Sequence, residues 1–254
     1  MTHYLGLMTP EELVQTVCPT IGALGAAWYF VPETLARGRG LGLDGFRFYF
    51  LGRGGVLGDV EAPVVISAFG YFNPSLVEKM WVSGAKTLAP RQAGRAYVAA
   101  SHDFGRTHFT EVAGLDRFCS AAEAVVRAAD PAALALFAGW RGEPLPEDLP
   151  ARAMQMVSTL REFRGSAHLL AVVASGISPK MAHYLRHPDN FATFGWAESD
   201  VPATTAEDRA ALAASEKLTD RLVLPAYRAL DDAGREALVT GLERMQAALA
   251  LGAP

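Results

Sequence analysis

Between Met154 and Ser175 the chain runs almost without interruption through apolar and small residues, yet it carries Arg161, Glu162, Arg164 and His168 inside that run. At 3.6 residues per turn, Arg161, Arg164 and His168 stand at i, i+3 and i+7 and share one narrow stripe, with Val157 and Val172 above and below. Glu162 falls on a second polar stripe with Gln155, Ser158 and Ser166, while Leu160, Phe163, Ala167, Leu170, Ala171 and Ala174 cover the rest. A helix apolar over most of its circumference belongs in the middle of a fold. Its charges must then be paired inside the protein or face a cavity.

Helix punctuation recurs along the remainder. Thr9-Pro10-Glu11-Glu12 supplies an N-cap, a proline at the first helical position and acids at the positive end of the dipole. Pro32-Glu33-Thr34 repeats this after the aromatic run Trp28-Tyr29-Phe30. Asn73-Pro74 precedes Leu76, Val77, Met80 and Trp81 at helical spacing, and Pro90, Asp130-Pro131 and Ser178-Pro179 open further helices. Thr204-Thr205-Ala206-Glu207 reads as a capping box before a helix through about Tyr227. From Asp231 to Leu249 a last helix puts Leu238, Leu242, Met245 and Leu249 on one face. Only Val64-Val65-Ile66 looks strand-like, and Pro63 weakens that reading. The class expected is all-α, a multi-helix protein. The loop 139–151, rich in glycine and proline, divides it into an N-terminal helical half, 1–150, and a C-terminal half, 151–254, built on helices 153–175 and 231–249.

With 50% hydrophobic residues, 20% charged residues and a net charge of -4, the composition is that of a globular chain. It offers no electrostatic reason to bind a polyanion. Cys18 and Cys119 match no zinc or redox spacing and are expected as buried small hydrophobes. The start lacks a signal-peptide pattern and no apolar run reaches membrane-spanning length, so a cytoplasmic location away from membranes is expected.

Gly40-Leu41-Gly42-Leu43-Asp44-Gly45 matches the dinucleotide-binding glycine pattern literally. A charged helical segment precedes it where that motif requires a buried strand, so no nucleotide cofactor is read from it. The next segment, Phe46 to Gly58, is an aromatic cluster ending in Arg53 between glycines. That arginine either presents its guanidinium to an anion or carbonyl or is buried against helix-end carbonyls. His183 and His187 have the i, i+4 spacing of shared metal ligands but no third ligand nearby, and a solvated basic face is expected instead. His102-Asp103 and His108 fall in a stretch, Ser101 to Thr110, expected as a polar loop. No nucleophile elbow and no phosphate loop is present. The Arg161, Arg164 and His168 stripe either carries structural salt bridges, to Glu162 or Asp59, or forms a pocket wall for an oxygen-rich group. Gly165 in mid-helix suggests a close approach there.

Six segments, in order, resemble the signatures of the actinobacterial SalK-type family of helix-turn-helix-like proteins: Tyr29-Phe30-Val31-Pro32-Glu33, Tyr49-Phe50-x-x-Arg53 with Leu57-Gly58, Phe72-Asn73-Pro74, Leu160-Arg161-Glu162-x-Arg164-Gly165-x-x-His168, and Thr219-Asp220-Arg221. The resemblance implies a winged-helix part, distantly like MarR-type regulators, and supplies a fold more than an activity. The chain departs from that pattern. The family's Arg-Gly-Asp-Gly-His is here Arg164-Gly165-Ser166-Ala167-His168, and Gly54-Gly55-Val56 replaces its Ala-Pro-Leu. Only 22 residues separate Trp196 from Thr219, many of them acidic, too few for a recognition helix plus a basic wing. The helix-turn-helix-like part toward the C-terminus is therefore expected to be degenerate, and specific DNA binding is not expected.

These readings converge on a small-molecule-binding protein. Its pocket is expected between the aromatics and the Arg/His stripe, lined by Tyr49, Arg53, Phe72, Asn73, Arg161, Arg164 and His168. An alternative is a cofactor-independent enzyme for cyclisation, dehydration or hydrolysis, with His168 as its acid or base and His183 dispensable. A transcriptional regulator is the third reading. The cofactor stays open: no metal or nucleotide motif is present, and haem or a metal at His168 is compatible with the sequence. A homodimer formed through the last helix completes the expectation.

Overall fold

A computed structural model describes residues 8–251, and among them there are twelve α-helices and no strand. They are α1 (Pro10–Ala26), α2 (Pro32–Gly40), α3 (Gly45–Gly54), α4 (Ala62–Phe69), α5 (Pro74–Ala85), α6 (Pro90–Phe109), α7 (Leu115–Ala128), α8 (Ala135–Arg141), α9 (Leu149–Ala174), α10 (Pro179–Arg186), α11 (Ala206–Tyr227) and α12 (Asp232–Leu251). The punctuation explains most starts. Thr9 and Glu12 close a reciprocal capping box on α1, and Asp44, Asn73, Asp148 and Ser178 cap α3, α5, α9 and α10 through their side chains. Proline opens α1, α2, α5, α6 and α10. On α11 the capping box lies one residue later than expected, Thr205 with Asp208.

Helix α9 is the axis of the molecule, packed against α1, α6, α7, α8 and α11. Leu160 and Phe163 are buried on it, but the helix emerges at its far end. Leu170 is 38% and Val173 60% exposed, which corrects the expectation for Leu170. One cluster of buried residues runs from Leu13 to Met245, drawing on both sides of the 150/151 boundary. A small satellite of Val172, Ile177 and Ala182 ties α10 to the end of α9.

Several local expectations are corrected. Val64-Val65-Ile66 is helical, because Pro63 sits in the first turn of α4, where a missing N–H costs nothing. Ser101 to Thr110 continues α6, since Ser101, Thr107 and Thr110 turn their hydroxyls back onto carbonyls of their own helix. Asp130-Pro131 opens a turn instead of a helix. Ala133, at φ 61, breaks the chain there and α8 begins at Ala135. The face of α12 proposed for dimerisation is used within the chain, where Leu238, Leu242 and Met245 are buried and the helix packs on α7 and α1. Leu249, the fourth residue assigned to pairing, stays half-buried. No helix among the described residues is long and apolar enough to cross a membrane.

Candidate functional site

Three glycines bring the aromatic segment of α3 against the rest of the fold. Gly52 lies where a side chain would strike the Tyr97 ring. In the 3-10 turn Gly55–Leu57, Gly55 meets the backbone of Pro90 and Gly94, and Gly94 meets Gly55 in return. The glycines after Arg53 thus serve a close approach to another helix, α6. It holds Tyr49 and Arg53 facing the central helix.

There Arg53 donates from Nε and Nη2 to the two carboxylate oxygens of Glu162, 2.8 Å each, and from Nη1 to the Tyr49 hydroxyl at 3.0 Å. Its guanidinium lies 4.7 Å from the Phe69 ring centroid. Of the alternatives for Arg53, burial against helix-end carbonyls is corrected, because the charge is matched by the Glu162 carboxylate. Glu162 is 1% exposed and also accepts from the Tyr29 hydroxyl at 3.2 Å and from Arg161 Nη1 at 3.2 Å. Burial, the largest single influence, opposes ionisation of Glu162. Arg53 and then Arg161 outweigh it, and the carboxyl stays below the usual carboxylate range. Asp59 takes no part in this network, because its side chain accepts from the Arg91 backbone N–H.

Above this floor opens a cavity of about 640 Å³. Of the expected residues Tyr49, Arg53, Phe72, Arg161, Arg164 and His168 line it. Asn73 does not, being occupied as the cap of α5, its side chain accepting from the Ser75 N–H at 3.0 Å. The stripe read from the sequence is real, and each member has a separate partner. Arg161 donates to the Tyr29 hydroxyl at 2.9 Å, and Arg164 to Asp220 at 2.7 Å. His168 Nδ1 lies 2.9 Å from the Thr219 hydroxyl. Thr219 spends its own hydrogen on the Ser215 carbonyl at 2.7 Å, so its oxygen accepts and His168 carries its proton on Nδ1. Nε2 is left as a bare acceptor 3.7 Å from Glu216. Burial, the largest influence, holds the His168 pKa below its ordinary value despite that carboxylate.

Gly165 is also corrected. Nothing lies within 4 Å of where a Cβ would stand, so it leaves open space beside the cavity instead of admitting a neighbour.

Sequence reasoning missed lining residues on α1, α4 and α11, Gln15, Phe69 and Glu216 among them, and a group from α10 and the segment after it. His183, expected on a solvated face, is 5% exposed and lines the cavity, stacked 3.8 Å from the Phe194 ring. Phe194 in turn stacks on Phe72 at 4.0 Å. The segment is pinned by Asn73 N–H donating to the Phe194 carbonyl and by the Trp196 indole donating to the Tyr71 carbonyl. Gly195, at φ 83, makes the turn that lays it there, against the Leu76 side chain. Sequence offered one usable signal: Ala182 beside His183 lies on the buried side of a short amphipathic helix.

Burial, then neighbouring His187, pushes the His183 pKa down to about 4. A base whose folded pKa lies below its unfolded value favours the fold when neutral. That contribution is complete above the free value of 6.5 and is lost as pH falls through about 4. Thermal melting of the wild type should therefore fall more steeply between pH 6.5 and 4 than that of His183→Phe. Superimposable profiles would mean that His183 is solvated after all.

Among the described residues no group of three or more histidine, cysteine or acidic side chains could hold a metal. Cys18 and Cys119 are buried free thiols, and burial pushes Cys119 up to about 12.

Compared with known proteins, residues 14–199 match a family model described as "Helix-turn-helix family". No curated protein and no solved structure matches the chain.

Proposed function

The chain belongs to this helix-turn-helix family, and from that premise we propose that it is a small-molecule-binding protein whose ligand sits in the cavity between the α3 aromatics and the Arg161/His168 stripe. The observation that carries this reading is the cavity itself, about 640 Å³, with aromatic walls and a few polar side chains, Arg161, Arg164, His168 and His183, converging on it. Within the family we place the chain with SalK-type proteins, on the six segments quoted above.

Nile red, an uncharged dye that brightens in apolar surroundings, tests the cavity. Gly165 has room for a side chain, so Gly165→Trp should fill the space with the fold retained. Dye affinity should drop at least tenfold in that variant with little change in melting temperature. Equal dye binding by both proteins would place the dye elsewhere and sink the reading.

Two other readings each have one supporting observation. The bare Nε2 of His168 is in the state of a general base, which favours an enzyme using the same cavity. Family membership favours a DNA-binding regulator. Against the latter stand the net charge of -4 and, among the described residues, the absence of any strand that could form a wing.

A further inference from the structure

Around the cavity carboxylates and guanidiniums pair off, and one guanidinium is left over. Glu162 takes Arg53 through two hydrogen bonds, Asp220 takes Arg164, and Glu216 takes Arg186 while reaching Arg164 at 3.4 Å. Arg161 has only a share of Glu162 and the neutral Tyr29 hydroxyl, both reached through Nη1. Its Nε and Nη2 have no hydrogen-bond partner among the described residues. Four arginines against three acids leave one positive charge beside the cavity.

That charge is held in place. The stem of Arg161 passes where Gly25 lacks a side chain, since a Cβ there would stand 2.7 Å from Arg161 Cδ. Its guanidinium carbon rests 5.0 Å from the Tyr29 ring centroid. The cavity beside it is lined by further polar side chains, among them Tyr71 and His183, each of which has one buried atom, the hydroxyl and Nε2, without a hydrogen-bond partner among the described residues. Phe69, Phe72, Phe194 and Leu169 supply the apolar wall between these polar points.

We infer that the cavity takes a small amphipathic organic anion whose carboxylate or phosphate rests on Arg161, an inference that builds on the small-molecule reading above. Two oxygens of a carboxylate or phosphate meet the two unused donors of a guanidinium side by side, a geometry that an ammonium does not reproduce.

Isothermal titration with three matched probes tests it: 2-naphthoate, 2-naphthyl phosphate and uncharged 2-naphthamide. At least one acid should bind the wild type ten times or more tighter than the amide, and the better of the two identifies the group the site prefers. In Arg161→Gln that advantage should shrink below threefold. Should that variant fail to fold, Arg161→Lys should still lose at least half of the logarithmic preference. Equal affinity for acids and amide in the wild type would overturn the anion and leave the cavity reading standing, as would Nile red binding without either acid. An acid preference of threefold or more in Arg161→Gln, or more than half of the logarithmic preference kept in Arg161→Lys, would also overturn it. Failure of the dye and all three probes to bind would overturn both.

Discussion

Replacing Glu162 by alanine should destabilise the protein by about 3–5 kcal/mol, because it leaves two arginines near the core without their shared counter-charge. For a chain of this size that lowers the melting temperature on the order of 10 °C. Glu162 is 1% exposed and receives Arg53 through two 2.8 Å hydrogen bonds, with Arg161 and Tyr29 on the same oxygen. Removing both charges as Arg53→Met with Glu162→Met should cost less than Glu162→Ala alone, since buried pairs replaced by apolar groups of similar volume are often near neutral. A double-mutant cycle measures that coupling. The sign with pH follows from the lowered carboxyl pKa. The contribution is complete above the unfolded value of 4.5 and disappears as pH falls through the lower folded value. Glu162→Ala melting within about 1 kcal/mol of wild type would show that the network is solvated, unlike the usual cost of an unpaired buried charge.

The second large effect is expected at Gly55. Its φ of -65° suits any residue, so the constraint is purely one of space. A Cβ there would overlap the Pro90 carbonyl oxygen and stand 2.8 Å from the Gly94 nitrogen and 2.9 Å from the Pro90 carbonyl carbon. Those are backbone atoms, which cannot rotate aside, and overpacking of this kind costs about 3 kcal/mol or more. Gly55→Ala should therefore melt well below wild type. Gly165→Ala, with nothing within 4 Å, should gain up to about 1 kcal/mol of helix propensity. Equal melting temperatures for the two variants would mean that α3 and α6 can move apart freely. Because Gly55 follows directly on the segment carrying Tyr49 and Arg53, loosening this crossing should also weaken dye binding in the cavity.

Local signals were legible in the sequence. Caps and first-turn prolines act within four residues, so Thr9, Asn73 and Ser178 announced α1, α5 and α10, and the spacing of Arg161, Arg164 and His168 announced one wall of the cavity. The apolar circumference of 154–175 marked α9 as central because no exposed helix has so little polar surface. Errors arose where a local signal has two outcomes. Serine and threonine serve loops or bond back to their own helix, as at Ser101 and Thr107, and proline after Glu61-Ala62 opens a helix as readily as it weakens a strand.

Partnerships were not legible, because they join distant positions. Arg53 and Glu162 are 109 residues apart and His168 and Thr219 are 51 apart, and nothing in either neighbourhood names the other. The apolar face of α12 looked the same from its sequence whether a second copy or α7 would cover it, and only packing decided for α7. His183 shows the limit best. A histidine on a short polar helix reads as solvated, and it is buried because Phe194, brought over by the turn at Gly195, lies on its ring. Periodicity and caps, being properties of one helix at a time, thus determined the all-α class and the central helix. The tertiary structure alone decided which charges are matched and which one, on Arg161, is left over, since charge balance depends on neighbours that only folding brings within reach.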